Sequence, residues 1–229
     1  GRGKAASMHK MGIANHMGDA RLMFKYSSKF TPEQFKVFDG YFRPRNESFL
    51  AAKLEGKERT RWHYQRYIKN YLSCVKAVDE NVGRLLDYLD KQGLADNTVV
   101  VYSSDQGFYL GEHGWFDKRW MFDESLRTPL IARWPGVIKA GSTTKALIQN
   151  IDYGPTFLDV CGAKTPADMQ GRSIVPLLRN GGKRPADWRD AVYYTYYGES
   201  THRVAAHDGV RTERYTLFYV PKYKEWQLF

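Results

Sequence analysis

The chain has 229 residues, of which 42% are hydrophobic, which is enough for a core in one large domain or two small ones. Its formal net charge of +10 raises the question of a polyanionic partner, either nucleic acid or a sulfated or phosphorylated substrate, although the charge could simply belong to a well-solvated surface. The sequence has no zinc-ligand spacing, no aromatic–glycine RNA motif and no heptads leading into a basic region, so nucleic acid is disfavoured. Its two cysteines are too few for a disulfide framework, and no apolar run approaches the roughly 20 residues that cross a bilayer.

The first predicted element is a helix that starts at Thr31–Glu33. This tripeptide combines a capping residue, a proline in the first turn and an early carboxylate. We expect the helix to end near Tyr41 or Phe42, because Pro44 follows and proline breaks the interior of a helix.

A long helix is predicted from about Lys57 to Lys91. Its apolar residues recur in steps of three and four, which is the mark of one buried face. These residues are Ile68, Tyr71, Leu72, Val75, Val78, Val82, Leu85, Leu86 and Leu89. Gly93 supplies a left-handed cap, and the strand Thr98–Ser103 follows. A helix that runs into a buried strand in this way is typical of an αβ unit in a mainly parallel sheet.

The second half of the chain changes character after a loop at Asn180–Pro185. Before that loop we predict a short strand at Pro129–Trp134, a helix from Asn150 to Cys161 that Gly162 ends, and a helical turn at Ile174–Leu178. After it we predict strands at Ala191–Tyr197, Gly209–Val220 and Glu225–Phe229, with a hairpin connection at Pro221–Lys224. The predicted domains are therefore residues 1–182, an α/β domain, and residues 183–229, a small C-terminal subdomain.

The most informative segment is Val99–Pro129, where a strand ends in a carboxylate and a glycine-rich loop follows. Asp105 and Gln106 offer a charged and a neutral oxygen, both suited to Ca²⁺ or Mg²⁺, although Asp105 could instead cap the turn. Lys118 offers a compact positive charge to an anionic oxygen, or it could be a surface lysine beside Asp117.

Other polar residues admit two interpretations each. His113 lies in a glycine-rich loop, where it could act as a ligand or an acid–base group, or could support the site by fixing the loop through hydrogen bonds. His207 precedes a predicted strand and could reach a polar substrate or lie on the surface. Cys74 lies within the long helix, which favours inert packing over nucleophilic chemistry. No Ser-His-Asp elbow, phosphate-binding loop or dinucleotide fingerprint is present.

The segment SSDQGFYLGEHGWFDKRWMFDESLRTPLIARWPG resembles the second conserved block of the type I sulfatases. The resemblance extends upstream through YQRYIKNYLSCVKAVDENVGRLLDYLDKQGLADNTVVVYSSD. Downstream it includes IDYGPTFLDVCGAKTPADMQGRSIVPLL and HDGVRTERYTLFYV. It covers roughly residues 60–229 and, more loosely, residues 1–59. It implies an α/β fold: part of an alkaline-phosphatase-like sheet flanked by helices, followed by a small C-terminal antiparallel-sheet subdomain.

The resemblance also implies roles for particular residues. Asp105 and Gln106 would be two of the calcium ligands, with Gln106 a mild departure from the Asn or His of many members. Lys118 would contact the sulfate and protonate or stabilise the leaving oxygen. The order Asp117, Lys118, Arg119 is similar to that of the N-acetylglucosamine-6-sulfatases.

By that similarity, Asp117 would bind a sugar hydroxyl, and His207 would do so from the C-terminal subdomain. The implied substrate is a sulfated carbohydrate, such as 6-O-sulfated N-acetylglucosamine in glycosaminoglycan or mucin glycans. The family also leads us to expect a periplasmic, extracellular or lysosomal location. The sequence predicts no nucleic-acid partner and no membrane span, and it gives no oligomeric state.

The family nucleophile is a formylglycine made from the Cys or Ser of a C/S-x-P-S-R motif, which this sequence does not contain. We therefore expect the chain to be the middle and C-terminal part of a sulfatase, inactive by itself. Two alternatives remain open: a truncated, non-catalytic glycan-binding product, and a phosphatase or phosphodiesterase of the same superfamily. The latter enzymes use zinc with a Thr or Ser nucleophile and several Asp and His ligands.

Overall fold

The computed structural model describes residues 29–198 and 204–229. They belong to two compact units: one contains Leu85–Gly107 and Lys118–Phe229, and the other contains the described residues up to Arg84 together with Phe108–Asp117. The first unit continues across residue 182, and the predicted division into residues 1–182 and 183–229 stays a prediction. Residues 1–28 of the first predicted domain lie outside the described residues.

Helix α1, Pro32–Ala52, starts where the sequence predicts. The hydroxyl of Thr31 accepts a hydrogen bond from the backbone N of Gln34 (3.3 Å), and the Gln34 side chain accepts one from the backbone N of Thr31 (3.0 Å). This reciprocal pair satisfies two donors at the helix start. The predicted end near Tyr41 or Phe42 is wrong, because the helix continues through Pro44 to Ala52.

Packing against the next helix explains why Pro44 does not end α1. Asn46, only 1% exposed, accepts a hydrogen bond from Arg66 of the next helix (2.9 Å). Phe49 stacks on Trp62 with 3.8 Å between ring centroids. Proline inside a helix costs about 3 kcal/mol, which buried aromatic and hydrogen-bonded contacts of this kind can offset.

Helix α2, Gly56–Lys91, confirms the predicted long helix. Gly93 has a left-handed backbone (φ 65°), and the N of Leu94 donates to the carbonyl of Leu89 (2.9 Å), which closes the helix as predicted. The prediction that its apolar face is buried is wrong for the described residues. Leu72 and Val75 are exposed, whereas His63, Arg66 and Tyr67 are the buried residues. Periodicity shows that one face is apolar but does not show what covers it.

Strand β1, Val100–Ser103, pairs with β4, Leu130–Arg133, in an antiparallel ladder. The predicted parallel arrangement is not found within residues 29–198 and 204–229, where every strand pair is antiparallel. After β1 the chain does not pass through a long crossover helix, which a parallel partner would require. It returns so that β4 lies beside β1 and runs in the opposite direction.

The second unit holds the strands β2, Tyr109–Leu110, and β3, Phe116–Asp117, which pair with each other. Tyr67 of α2 donates a hydrogen bond from its hydroxyl to the carbonyl of Tyr109 (2.7 Å). This contact ties the glycine-rich loop to the long helix.

Three short helices belong to the first unit: α3, Asp123–Leu126; α4, Tyr153–Val160; and α5, Val175–Arg179. A 3₁₀ turn at Asn150–Asp152 precedes α4, so the predicted helix is confirmed with its first turn tightened. Ile174, Leu177 and Trp188 form a buried cluster. None of the helices within the described ranges is long and apolar enough to span a membrane.

The C-terminal strands form a four-stranded antiparallel sheet in the order β5-β6-β7-β8. They are β5, Ala191–Tyr196; β6, His207–Thr212; β7, Thr216–Val220; and β8, Glu225–Leu228. The hairpin connection at Pro221–Lys224 is confirmed, and Lys224 takes the left-handed conformation there (φ 51°).

The single strand predicted at Gly209–Val220 is wrong, because two strands occupy this range. The chain turns after Thr212, whose hydroxyl accepts a hydrogen bond from the backbone N of Tyr215 (2.8 Å). A threonine turn of this kind needs neither glycine nor proline, so the usual composition signal is absent.

Candidate active site

The loop that follows β1 is fixed by short polar contacts on both sides of Asp105. Ser103 donates a hydrogen bond to the carbonyl of Pro129 (2.9 Å), and Ser104 donates one to the carbonyl of Gln106 (2.8 Å). Asn150 donates a hydrogen bond to the carbonyl of Asp105 (3.0 Å). Hydrogen bonds from Ser103 and Ser104, and from Asn150 in the turn before α4, therefore fix the backbone around Asp105.

Gly107 brings this loop into close contact with α3. Its backbone N donates to the carbonyl of Ser125 (2.8 Å), and a Cβ at this position would lie 2.1 Å from the carbonyl oxygen of Glu124. Only glycine fits such an approach without displacing the backbone. The backbone of this loop can therefore pass so close to α3 only with glycine at position 107.

The turn at Lys118 lies against the same serine. The hydroxyl of Ser125, a residue that is 8% exposed, accepts a hydrogen bond from the backbone N of Arg119 (3.0 Å). One residue therefore contacts both Gly107 and Arg119. Sequence reasoning missed Ser125, because its importance comes from contacts that no spacing pattern reveals.

Asp105, Gln106, Lys118 and Arg119 line one cleft of about 1400 Å³. The charged residues along this cleft carry an excess of two positive charges. The basic ones are Lys118, Arg119, Arg127, Lys145 and Arg211, and the acidic ones are Asp105, Asp123 and Glu213. A cleft lined mainly by one sign of charge attracts ligands of the opposite sign.

The donor set at the end of β1 fits a hard cation in part. One carboxylate and one amide oxygen, from Asp105 and Gln106, are ligands that Ca²⁺ takes in proteins, but the ion requires roughly six to eight oxygens. No cluster of three or more His, Cys, Asp and Glu side chains that could hold a metal occurs among the residues that the structure describes. These two residues can therefore provide one side of a calcium site.

His207 is 1% exposed, and both of its ring nitrogens face backbone carbonyls. Nδ1 lies 2.9 Å from the carbonyl oxygen of Ala205, and Nε2 lies 3.1 Å from that of Arg119. The role predicted for His207 in binding a sugar hydroxyl stays a prediction, and it would require the ring to exchange one of these partners. Burial lowers the pKa of His207, although the two carbonyls and nearby Asp208 oppose this shift.

The lowered pKa of His207 predicts a pH-dependent stability. Between the lowered pKa of the folded state and the ordinary value of about 6.5, the unfolded chain binds a proton at this residue that the folded chain largely does not, so acid favours unfolding by up to about 1.4 kcal/mol per pH unit in that window. We expect the His207→Gln variant to lose less stability than the parent between pH 7.5 and 5.5 in urea titrations. Equal losses in the two proteins would contradict the predicted burial of a neutral imidazole.

His113 and Asp117 lie in the other unit. His113 has a left-handed backbone (φ 58°), and its ring contacts those of Tyr109 and Trp115, with centroids 6.0 and 5.4 Å away. Asp117 pairs with Tyr109 in the short β2–β3 ladder. The roles predicted for His113 and Asp117, support of the site and a contact to sugar, stay predictions.

Comparison with known proteins decides the family. Residues 6–163 match the family model described as sulfatase, and residues 111–229 match the model of the C-terminal part of N-sulphoglucosamine sulphohydrolase. The chain belongs to the sulfatase family. The predicted resemblance to the sulfatases is thereby confirmed.

Relatives of this sulfatase chain extend the match over its whole length. It is 44% identical to an N-acetylglucosamine-6-O-sulfatase of Bacteroides thetaiotaomicron, and the match covers 100% of the chain and 44% of that protein. The chain thus spans less than half of that curated relative.

Solved structures confirm the predicted α/β fold class. The structure of BT4656 in complex with its substrate D-glucosamine-2-N,6-O-disulfate matches with a TM-score of 0.92 at 43% identity, over 100% of this sulfatase chain and 50% of the other. A phosphonate monoester hydrolase from Silicibacter pomeroyi matches with a TM-score of 0.66 at 26% identity, over 94% of the chain and 42% of the other.

Proposed function

We propose that this chain forms one side of the active site of a sulfatase that hydrolyses 6-O-sulfate esters of N-acetylglucosamine-type sugars in glycosaminoglycan or mucin glycans. The observation that carries the proposal is the meeting of Asp105, Gln106 and Lys118 on one positively charged cleft. The 44% identity to an N-acetylglucosamine-6-O-sulfatase supports the choice of sugar and position.

Lys118 is the residue to which we assign the leaving group. A sugar alkoxide is a strong base, so its departure is faster when a positioned cation donates a proton or a hydrogen bond to it. The ammonium of Lys118 is a compact charge with several donors, which suits an anionic sulfate oxygen and the bridging oxygen alike.

Asp105 and Gln106 are the residues that would hold Ca²⁺ from this side of the site. When bound, the ion would supply positive charge that offsets the charge of the sulfate. Within residues 29–198 and 204–229 no group of three or more His, Cys, Asp and Glu side chains could hold a metal, so Asp105 and Gln106 would need further ligands to complete the site.

We propose that the nucleophile, a formylglycine by family resemblance, comes from sequence that this chain does not contain. None of the 229 residues forms a C/S-x-P-S-R motif. Cys74 and Cys161 are both exposed, and neither is followed by the proline and arginine of that motif.

This proposal predicts that the chain alone does not hydrolyse sulfate esters. We expect no release of 4-nitrocatechol from 4-nitrocatechol sulfate in the presence of Ca²⁺, beyond that seen with a Lys118→Ala control, because the attacking group is missing. Turnover above that control would overturn the assignment of the nucleophile to another segment.

A chimera tests the function itself. In it, this chain replaces the part of the B. thetaiotaomicron N-acetylglucosamine-6-O-sulfatase that it matches, and released sulfate is measured with N-acetylglucosamine 6-sulfate as substrate. Sulfate release is expected. Selective cleavage of a matched phosphate ester would instead favour a phosphatase or phosphodiesterase, and glycan-array binding by a folded but inactive chimera would favour a non-catalytic binding module.

A further inference from the structure

The backbone around Lys118 is in an unusual conformation. Asp117 and Arg119, the residues on either side, both have positive φ angles, 80° and 105°. Such angles are unfavourable for residues other than glycine, and they persist only where surrounding groups determine the conformation. The contacts of Arg119 show which groups do so.

Both backbone polar groups of Arg119 are held by side chains. Its N–H donates to the hydroxyl of Ser125 (3.0 Å), and its carbonyl accepts a hydrogen bond from the hydroxyl of Tyr194 (3.0 Å). Nε2 of His207 lies 3.1 Å from the same carbonyl oxygen. Tyr194 belongs to β5 and His207 to β6, so adjacent strands of the C-terminal sheet converge on one carbonyl of the lysine-bearing turn.

Burial and ring stacking hold Tyr194 and His207 at the carbonyl of Arg119. Burial raises the pKa of Tyr194, so its hydroxyl remains a protonated donor. The ring of His207 stacks on that of Trp120 with 4.6 Å between centroids and on those of Tyr194 and Tyr196 at 5.8 and 5.4 Å.

We propose that Tyr194 and His207 are positioning residues for Lys118. By holding the carbonyl of Arg119, they fix the peptide plane between Arg119 and Trp120, and thereby the turn that carries Lys118 on the cleft that Asp105 also lines. The C-terminal sheet then determines the geometry of the leaving-group lysine through the backbone of Arg119. This inference rests on the proposed function, in which Lys118 contacts the sulfate ester.

The first test uses the chain itself and requires no activity. Tyr194→Phe removes only the hydroxyl, and Tyr193→Phe is a matched control, because Tyr193 is 65% exposed on the opposite face of the same strand. In ¹H–¹⁵N NMR spectra, we expect the amide signals of Lys118 and Arg119 to shift or broaden in Tyr194→Phe and to stay unchanged in Tyr193→Phe. Unchanged signals in both variants would overturn the proposal.

The second test uses the chimera. A small displacement of Lys118 is expected to lower kcat about 10- to 100-fold in Tyr194→Phe, with little change in KM. His207→Phe keeps an aromatic ring in the stack but removes Nε2, and it is also expected to lower kcat. The loss of kcat should be smaller on 4-nitrocatechol sulfate than on N-acetylglucosamine 6-sulfate, because a nitrophenolate is a weaker base than a sugar alkoxide and needs less assistance from Lys118. With Lys118 already replaced by alanine, Tyr194→Phe should cause no further loss.

Two kinetic results would contradict the inference. A full additional loss in the Lys118→Ala background would show that Tyr194 acts independently of the lysine. A raised KM on the sugar substrate alone would assign His207 to direct sugar binding instead. If the parent chimera is inactive, the proposed function fails, and the NMR comparison still decides whether Tyr194 holds the turn.

Discussion

Replacing Lys118 by alanine in the chimera is expected to lower kcat for N-acetylglucosamine 6-sulfate by about 10²- to 10⁴-fold. The alkoxide would then leave without a positioned proton donor, and the sulfate would lose an adjacent positive charge. Steady-state sulfate release measures the effect. Lys118→Arg is expected to recover only a small part of the activity, because the larger guanidinium does not give up a proton in proteins.

Lys145 provides the matched control, because it also lines the cleft and carries the same charge. Lys145→Ala is expected to change kcat by no more than about twofold, through the general electrostatic attraction of the cleft. Equal losses in the two variants would mean that the cleft acts only through its net charge, and the specific role of Lys118 would be wrong.

Asp152→Ala is expected to destabilise the chain by about 3–5 kcal/mol, a large share of the roughly 5–15 kcal/mol that stabilises a typical domain. Asp152 is fully buried and accepts hydrogen bonds from the backbone N of Gln149 and of Arg172, each at 2.8 Å. Arg189 binds both of its carboxylate oxygens. Removing this carboxylate leaves a largely buried guanidinium without its ion-pair partner.

Urea unfolding of Asp152→Ala against the parent chain measures this loss. Asp187→Ala is the control, since the Asp187 side chain is 76% exposed where it pairs with Arg172, and exposed pairs contribute about 0–1 kcal/mol. If both variants lost no more than about 1 kcal/mol of unfolding free energy, the predicted contribution of Asp152 to stability would be wrong. Asp152 ends the turn that carries Asn150, so its loss should also loosen the hydrogen bond that holds the backbone of Asp105.

Local sequence chemistry determined the element starts and several caps. Thr31 and Gln34 form their capping box from side chains three residues apart, and Gly93 caps α2 through its own backbone freedom. Such features depend only on near neighbours, which is why the sequence predicts them. The passage of α1 through Pro44 depends on Arg66 and Trp62 of another helix, and no local pattern contains that information.

The sequence by itself also placed the chemistry: a carboxylate at the end of a strand, an amide beside it, and Lys118 in the loop that follows. Only the tertiary structure decided that β1 pairs antiparallel with β4 and that Ser125 contacts both ends of this loop. It alone brought Tyr194 to the carbonyl of Arg119, across 75 positions of the chain. Residue types and short spacings encode which groups are available, whereas the burial and pairing of distant segments decide which of them meet.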